Sequence, residues 1–229
     1  MEAGVLAYQG AAAVAERESR ATAIACRALD LLVAGLLLVV LAPLLLVIVI
    51  AIVLDSPGRA IYRQERFGRG LKPFVVNKLR TMRADAGHDA HRAFVKSLIT
   101  GEETSPYAQP GLFKLGSEDD RITRLGSFLR RSSLDELPQL WNVVRGEMSL
   151  VGPRPPVSYE IEHYPVTAFG RFAVKPGLTG LWQVSGRSQT TFEEMIQLDL
   201  EYARRRSLWL NLQILARTVP VVLRGKGAA

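Results

Sequence analysis

A single cysteine, Cys26, stands in 229 residues, which excludes a disulfide framework and any cysteine-rich zinc module. Histidine is almost as scarce at three, and aromatic residues make up only 7% of the chain. Neither a nucleic-acid recognition fold nor a stacking run of aromatics is visible, which argues against a nucleic-acid module. Disorder is excluded too, because hydrophobic residues at 48% outweigh charged ones at 22%. Acidic residues are the minority charge, 22 against 29 Lys+Arg, so the net charge is +7. That sign points to an anionic partner: nucleic acid, lipid headgroups or phosphorylated substrates. The length suits one domain with an appendage.

The longest stretch without charge is Leu31 to Leu54, LLVAGLLLVVLAPLLLVIVIAIVL. About 20 apolar residues suffice to cross a bilayer as a helix. A buried core helix of this length would show a polar stripe, and a signal peptide would have a shorter apolar run. Membrane insertion is therefore expected. Pro43 divides the run into two pieces, each too short to span alone, and proline kinks or breaks a helix. Arg17, Arg20 and Arg27 precede the run, and Arg59, Arg63, Arg66, Arg69 and Lys72 follow it. Both flanks are thus basic, the downstream one more so. The residues alone favour a simple span over a hairpin that enters and leaves by one face.

The expected organisation is a loose tail over 1–20, a membrane-inserted helix over 21–56 and a cytosolic domain over 57–229. Within that domain, 60–83 alternates short apolar and basic groups and reads as strands. Residues 84–118 read as a helix followed by a mobile loop. Helices are expected over 121–131, 136–145, 192–206 and 208–223, giving an α/β class, mainly helical. Two of these helices are amphipathic. Ile122, Leu125, Phe128 and Leu129 share one face of the first; Leu208, Leu212, Leu215 and Val219 share one face of the last, with Trp209 nearby. Such stripes pack on a protein core or lie in a membrane interface, and both readings stand.

Chemistry-bearing residues begin at Ser133-Leu-Asp-Glu-Leu-Pro. Ser133 with Glu136 three residues on fits a capping box, which would make Glu136 structural. Pro138 belongs in a first helical turn, so Asp135 and Glu136 sit at or beside a helix N-terminus, where anions are favoured. Adjacent carboxylates there can also divide labour, one as nucleophile and one as a ligand for Mg²⁺. Basic residues cluster in punctuated segments around Lys78 and Arg80, Arg154 and Arg187. Phosphoryl transfer needs such cations, because an anionic nucleophile must approach an anionic phosphate. Arg154 stands out, since its flanking prolines limit where its guanidinium can point. His88 and His91 beside Asp85 and Asp89 read as a solvated helix face rather than a metal site.

Together these segments carry a resemblance. Asp55-Ser-Pro-Gly, Arg63-Gln-Glu-Arg-Phe-Gly, Lys78-Leu-Arg-Thr-Met, Asp120-Arg-Ile-Thr-Arg-Leu-Gly, Ser133-Leu-Asp-Glu-Leu-Pro-Gln-Leu-Trp-Asn, Met148-Ser-Leu-Val-Gly-Pro-Arg-Pro and Pro176-Gly-Leu-Thr-Gly-Leu-Trp-Gln-Val-Ser-Gly-Arg occur in order. The chain resembles the bacterial sugar transferases, monotopic phosphoglycosyl transferases that begin exopolysaccharide or O-antigen repeat units. The resemblance implies transfer of a hexose 1-phosphate from a UDP-sugar to polyprenyl phosphate. It implies Asp135 as nucleophile, Glu136 as its partner in holding Mg²⁺, with capping as a companion role, and Arg154 near the nucleotide sugar. Lys78, Arg80 and Arg187 are expected to bind substrate as well. It also implies a re-entrant helix bent at Pro43, overturning the span preferred above, in the bacterial inner membrane with the catalytic domain facing the cytoplasm. A homodimer is the remaining partner expectation. One departure is Ala42, where many members have a serine before the proline. The rival reading is a non-catalytic, membrane-tethered basic module that binds anionic lipid or nucleic acid.

Overall fold

The computed structural model describes residues 19–83, 92, 99, 121–186 and 190–224. Residues 1–18 of the expected tail, the expected helix and loop over 84–118 with its histidines, apart from positions 92 and 99, and Arg187 lie outside the described residues.

The first helix, α1 (Arg20–Asp55), runs 36 residues and continues through Pro43. Ser19 starts it by accepting a hydrogen bond from the Thr22 N–H at 3.1 Å. It stops at Ser56, whose backbone is extended ahead of Pro57. Cys26, Asp30, Ala34, Ile48 and Ile52 are buried, and Leu37, Leu38, Leu45 and Val49 are partly covered. Their recurrence every three or four positions lays one face of α1 against the rest of the protein. The other face is bare and apolar, with Leu32, Val39, Leu46 and Leu54 exposed.

Both halves of α1 dock on the same body. The first half joins a core with Leu140, Val143, Met148 and Val151; the second joins Ala60, Leu79 and Leu129. Polar ties fix each half. Asp30 accepts from the Ser149 hydroxyl at 3.0 Å and the Leu150 N–H at 2.9 Å. Arg27 donates to the carbonyls of Val143 at 2.6 Å and Val144 at 2.7 Å. At the far end, Arg80 donates to the carbonyls of Ile52, Ser56 and Pro57, which ties the end of α1 and the turn after it to the end of β2.

After α1 the chain forms an antiparallel ribbon of β1 (Ile61–Phe67) and β2 (Pro73–Leu79). A short turn over Arg69–Leu71 joins them, with Gly70 at φ 68°. Their register places Tyr62, Gln64, Arg66 and Lys78 on one face and Ile61, Arg63, Val75 and Asn77 on the other. Helix α2 (Arg124–Arg131) follows, capped by Thr123. A tight turn over Leu134–Glu136 leads into α3 (Gln139–Arg145). Asn142 of α3 serves the open edge of β2: its amide donates to the Val75 carbonyl at 2.7 Å, and its oxygen accepts from the Asn77 N–H at 3.3 Å.

Strands β3 (Ser149–Val151) and β4 (Gly177–Thr179) pair in parallel. Gly152 and Gly177 cross where any Cβ would overlap the opposing backbone. Short helices α4 (Ser158–Ile161) and α5 (Leu181–Ser185), and a turn of tight helix over Val166–Ala173, fill the space between. Two longer helices close the fold: α6 (Phe192–Arg205), started by a Thr191–Glu194 capping box, and α7 (Leu208–Arg224).

The strands and the four expected helices are present with shifted ends. The expected helix over 136–145 begins at Gln139, because the turn before it is tighter. The amphipathic faces divide. In α2, Leu129 is fully buried while Phe128 is exposed. In α7, Asn211 and Ile214 turn inward and Leu215 packs beside them, whereas Leu208, Trp209, Leu212 and Val219 face out.

Candidate active site

The turn that carries Asp135 and Glu136 is set by its neighbours. Ser133 is left-handed at φ 58°, and its side chain caps nothing. The capping box expected from Ser133 and Glu136 is therefore absent: an N-cap needs extended backbone, and Ser133 does not supply it. Glu136 is instead ion-paired to Lys78 of β2 at 3.0 Å. Asp135, the residue before Glu136, is buried and only 5% exposed. Pro138 precedes α3 with helical backbone angles, so the two carboxylates sit just before a helix of seven residues.

Arg154 comes from the turn after β3, and that turn is rigid for identifiable reasons. Pro153, Pro155 and Pro156 restrict its backbone. Backbone bonds tie it down on two sides, Gly177 N–H to the Pro153 carbonyl at 2.9 Å and Phe67 N–H to the Pro156 carbonyl at 3.0 Å. Buried Arg171 donates to the Arg154 carbonyl at 2.9 Å while forming an ion pair with Asp199 at 2.6 Å and donating to the Tyr164 hydroxyl at 2.7 Å. The Arg154 side chain is oriented by buried Glu160, whose two oxygens both lie 3.1 Å from Nη1. Its other N–H groups make no hydrogen bond among the described residues.

Electrostatics joins the two segments. Loss of solvent works against the Arg154 charge, but Glu160 outweighs it with help from Tyr164 and Glu136, so the guanidinium holds its proton more firmly than usual. Arg66 on β1 is pulled the other way by burial and by repulsion from Arg154, partly offset by Glu160 and Glu136. Its Nη1 donates to the Pro155 carbonyl at 2.8 Å, and Nε and Nη2 hold Gln64. Tyr159 is pushed up to about 12 by burial and by Glu160, so it remains an O–H donor at neutral pH. The site thus gathers Asp135, Glu136, Lys78, Arg154 and Arg66 around the acidic and phenolic groups of Glu160 and Tyr159.

Of the expected site residues, Asp135, Glu136, Lys78 and Arg154 belong to this assembly. Arg80 is buried and engaged with the end of α1. Glu160, Arg66 and Arg171 carry the site's geometry and were not singled out from the sequence for it, because they act through tertiary contacts. Among the described residues no group of three His, Cys, Asp or Glu could enclose a metal ion. Mg²⁺ takes one or two carboxylates and completes its shell with water and substrate phosphate oxygens, so Asp135 and Glu136 are the residues that could hold it.

Comparison with known proteins bears on this site. A 41% identical relative, the UDP-galactose-lipid carrier transferase of Erwinia amylovora, aligns over 202 residues, covering 88% of this chain and 41% of the relative. The UDP-glucose:undecaprenyl-phosphate glucose-1-phosphate transferase of Caulobacter vibrioides is 43% identical over 206 residues, covering 86% of this chain and 69% of the relative. The exopolysaccharide production protein ExoY of Sinorhizobium fredii is 38% identical over 202 residues, covering 88% of this chain and 87% of the relative. The chain spans about two fifths of the length of the Erwinia relative (41%). The family model described as Bacterial sugar transferase matches residues 21–225 and so takes in α1, the carboxylate turn and the Arg154 turn together. The chain belongs to the bacterial sugar transferase family.

Proposed function

We propose that this protein transfers a hexose 1-phosphate from a UDP-sugar to polyprenyl phosphate at the cytoplasmic face of the bacterial inner membrane, as the first membrane step of exopolysaccharide or O-antigen synthesis. The observation that carries the reading is a buried carboxylate, Asp135, next in sequence to Glu136, which is ion-paired with Lys78. The names of the relatives, UDP-galactose and UDP-glucose transferases, supply the substrate class.

In the proposed reaction a carboxylate oxygen of Asp135 attacks the sugar-side phosphorus. The bond from that phosphorus to the bridging oxygen breaks, and UMP leaves with the electron pair. A phosphosugar–aspartyl intermediate results. A phosphate oxygen of the polyprenyl acceptor then attacks the same phosphorus and releases the Asp135 carboxylate. Arg154, held by Glu160 and Arg171, presents its remaining N–H groups to the diphosphate. Lys78 holds Glu136 in place. Arg187 is a further proposed contact to the nucleotide sugar. Mg²⁺ held by Asp135 and Glu136 would offset negative charge on the phosphoryl oxygens. Arg80 contributes by anchoring α1, which keeps the site at headgroup level.

The helix α1 is proposed to enter and leave the bilayer by one face. A straight span would carry its ends to opposite sides, yet both halves dock on one folded body. Pro43 falls between the two docked halves, and the face of α1 turned away from the protein is apolar throughout. Homodimerisation belongs to the same proposal and is tested by the mass of the lipid-nanodisc particle. For the reaction itself, protein in nanodiscs is given undecaprenyl phosphate and a panel of UDP-sugars. UMP release with one or a few of these sugars, dependent on Mg²⁺, is expected. No UMP with any of them, alongside salt-sensitive lipid binding, returns the reading to a binding module.

A further inference from the structure

An open groove of about 1190 Å³ runs along the side of the β1–β2 ribbon that carries Arg63 and Asn77, and it reaches Pro138 just after the carboxylate turn. The register separates the two: Lys78, which holds Glu136, faces one side, and Arg63 and Asn77, which line the groove, face the other. Bases dominate its walls. Arg63, Arg69, Lys72, Arg145 and Lys175 line it, against one acid, Glu147. Glu147 is already paired with Arg145 at 3.3 Å. Among the described residues no carboxylate pairs with Arg63, Arg69, Lys72 or Lys175.

The charge is concentrated further by residues behind the wall. The head groups of Arg27 and Lys175 both approach Gly146, which lines the groove. Burial and repulsion from Arg27, Arg206 and Arg69 make Lys175 give up its proton more easily than usual, with Asp30 opposing. An anion seated here would relieve that repulsion. The groove is not purely ionic, however. Leu38, from the apolar run of α1, forms part of the lining, as does Trp141, which is 53% exposed. Tryptophan favours the boundary between headgroups and acyl chains.

We propose that this groove binds the headgroup of an anionic diacyl phospholipid, with the phosphate on Arg69, Lys72 and Lys175 and acyl chain against Leu38 and Trp141. The site is a membrane-orienting one, separate from the transfer chemistry. It rests on the membrane association proposed above and not on the reaction.

The test uses the full chain in neutral detergent, with binding read by thermal midpoint on titration. Phosphatidylglycerol raises the midpoint; phosphatidylcholine and inorganic phosphate at the same concentration do not. Replacing three exposed bases together, Arg63→Gln, Arg69→Gln and Lys72→Gln, weakens phosphatidylglycerol binding roughly a hundredfold, as expected for three surface bases near an anionic lipid. Lys175→Gln alone weakens it as well, which keeps the test open should the triple variant fold poorly. Arg204→Gln, an exposed base elsewhere, leaves binding unchanged. Equal affinity for phosphatidylcholine, or for phosphatidylglycerol in the variants, overturns the proposal. Inorganic phosphate matching the lipid marks a free-anion site and overturns it too. Displacement of phosphatidylglycerol by UDP-sugar, or loss of acceptor use with phosphatidylglycerol affinity intact, assigns the groove to a substrate and does the same. UMP release by the wild type, measured separately, decides the transferase reading whatever the lipid result.

Discussion

The two faces of the β1–β2 ribbon are built from similar residues and organised in opposite ways. On the face toward the carboxylate turn, Lys78 is matched to Glu136, and the nearby Arg154 is matched to Glu160. On the groove face, Arg63 stands without a carboxylate partner among the described residues, as do Arg69 and Lys72 of the connecting turn. Pairing fixes side chains before any ligand arrives, which is what positioned chemistry requires. Unpaired bases on flexible stems suit a surface that accepts anions of varied geometry. On the two proposals above, the difference separates a face for reaction from one for adhesion.

The comparison breaks most severely at Asp135. Asp135→Asn keeps the shape of the turn, so the thermal midpoint should move little while UMP release falls on the order of a thousandfold or more. Turnover near wild type would remove Asp135 as nucleophile. Next comes the ion pair. Glu136→Gln and Lys78→Met should each cost roughly 10- to 100-fold in kcat, and the double variant should be no worse than the poorer single, since the two act as a unit. Strictly additive losses would mean that they act separately.

Arg154 and Glu160 sharpen the comparison at smaller scale. Arg154→Ala should raise KM for the UDP-sugar roughly tenfold with a lesser change for the lipid acceptor. Glu160→Gln should reproduce much of that effect, because it removes what orients Arg154. Equal effects on both substrates would assign the pair a general structural part. Arg80→Met acts on stability instead: four hydrogen bonds to Ile52, Ser56 and Pro57 are lost, and about 1–3 kcal/mol should go with them. Chemical denaturation reads this, while the activity of the folded fraction persists. The smallest change belongs to the groove face, where Lys72→Gln should alter transfer by less than about twofold, as exposed substitutions usually do.

What could be read from the sequence follows from how local each feature is. Leu31–Leu54, the strands flanking Gly68–Lys72 and the last two helices are written in composition and periodicity, and they appear where expected. The parallel pair β3–β4 was invisible: each strand has three residues, and their pairing depends on Gly152 meeting Gly177 across the chain. The capping box failed for a similar reason. Ser133 and Glu136 match the pattern, but a left-handed Ser133 and the ion pair to Lys78, 58 positions away, decide the local geometry. Asn142 likewise looks like a helix residue in sequence, and only the fold shows it completing the edge of β2. Arg154 was legible because its prolines are adjacent to it, whereas Glu160 and Arg171, which aim and hold it, act through tertiary contacts. The proposed re-entrant course of α1 draws on both kinds of information. Cys26, which would have been a natural topological probe just before the apolar run, is completely buried. A cysteine placed at exposed Ile24 in a Cys26→Ser background should therefore resist an impermeant maleimide until the inner membrane is opened.

The central claim is a covalent step at Asp135, and the most direct measurement omits the acceptor. Purified wild-type protein is incubated with its UDP-sugar and Mg²⁺ in the absence of polyprenyl phosphate, then weighed intact and after proteolysis. The account predicts a hexose phosphate added to the peptide containing Asp135, UMP released in step with it, and loss of the adduct when polyprenyl phosphate is supplied. UMP that appears only with the acceptor present, and no added mass on any peptide in its absence, would contradict it.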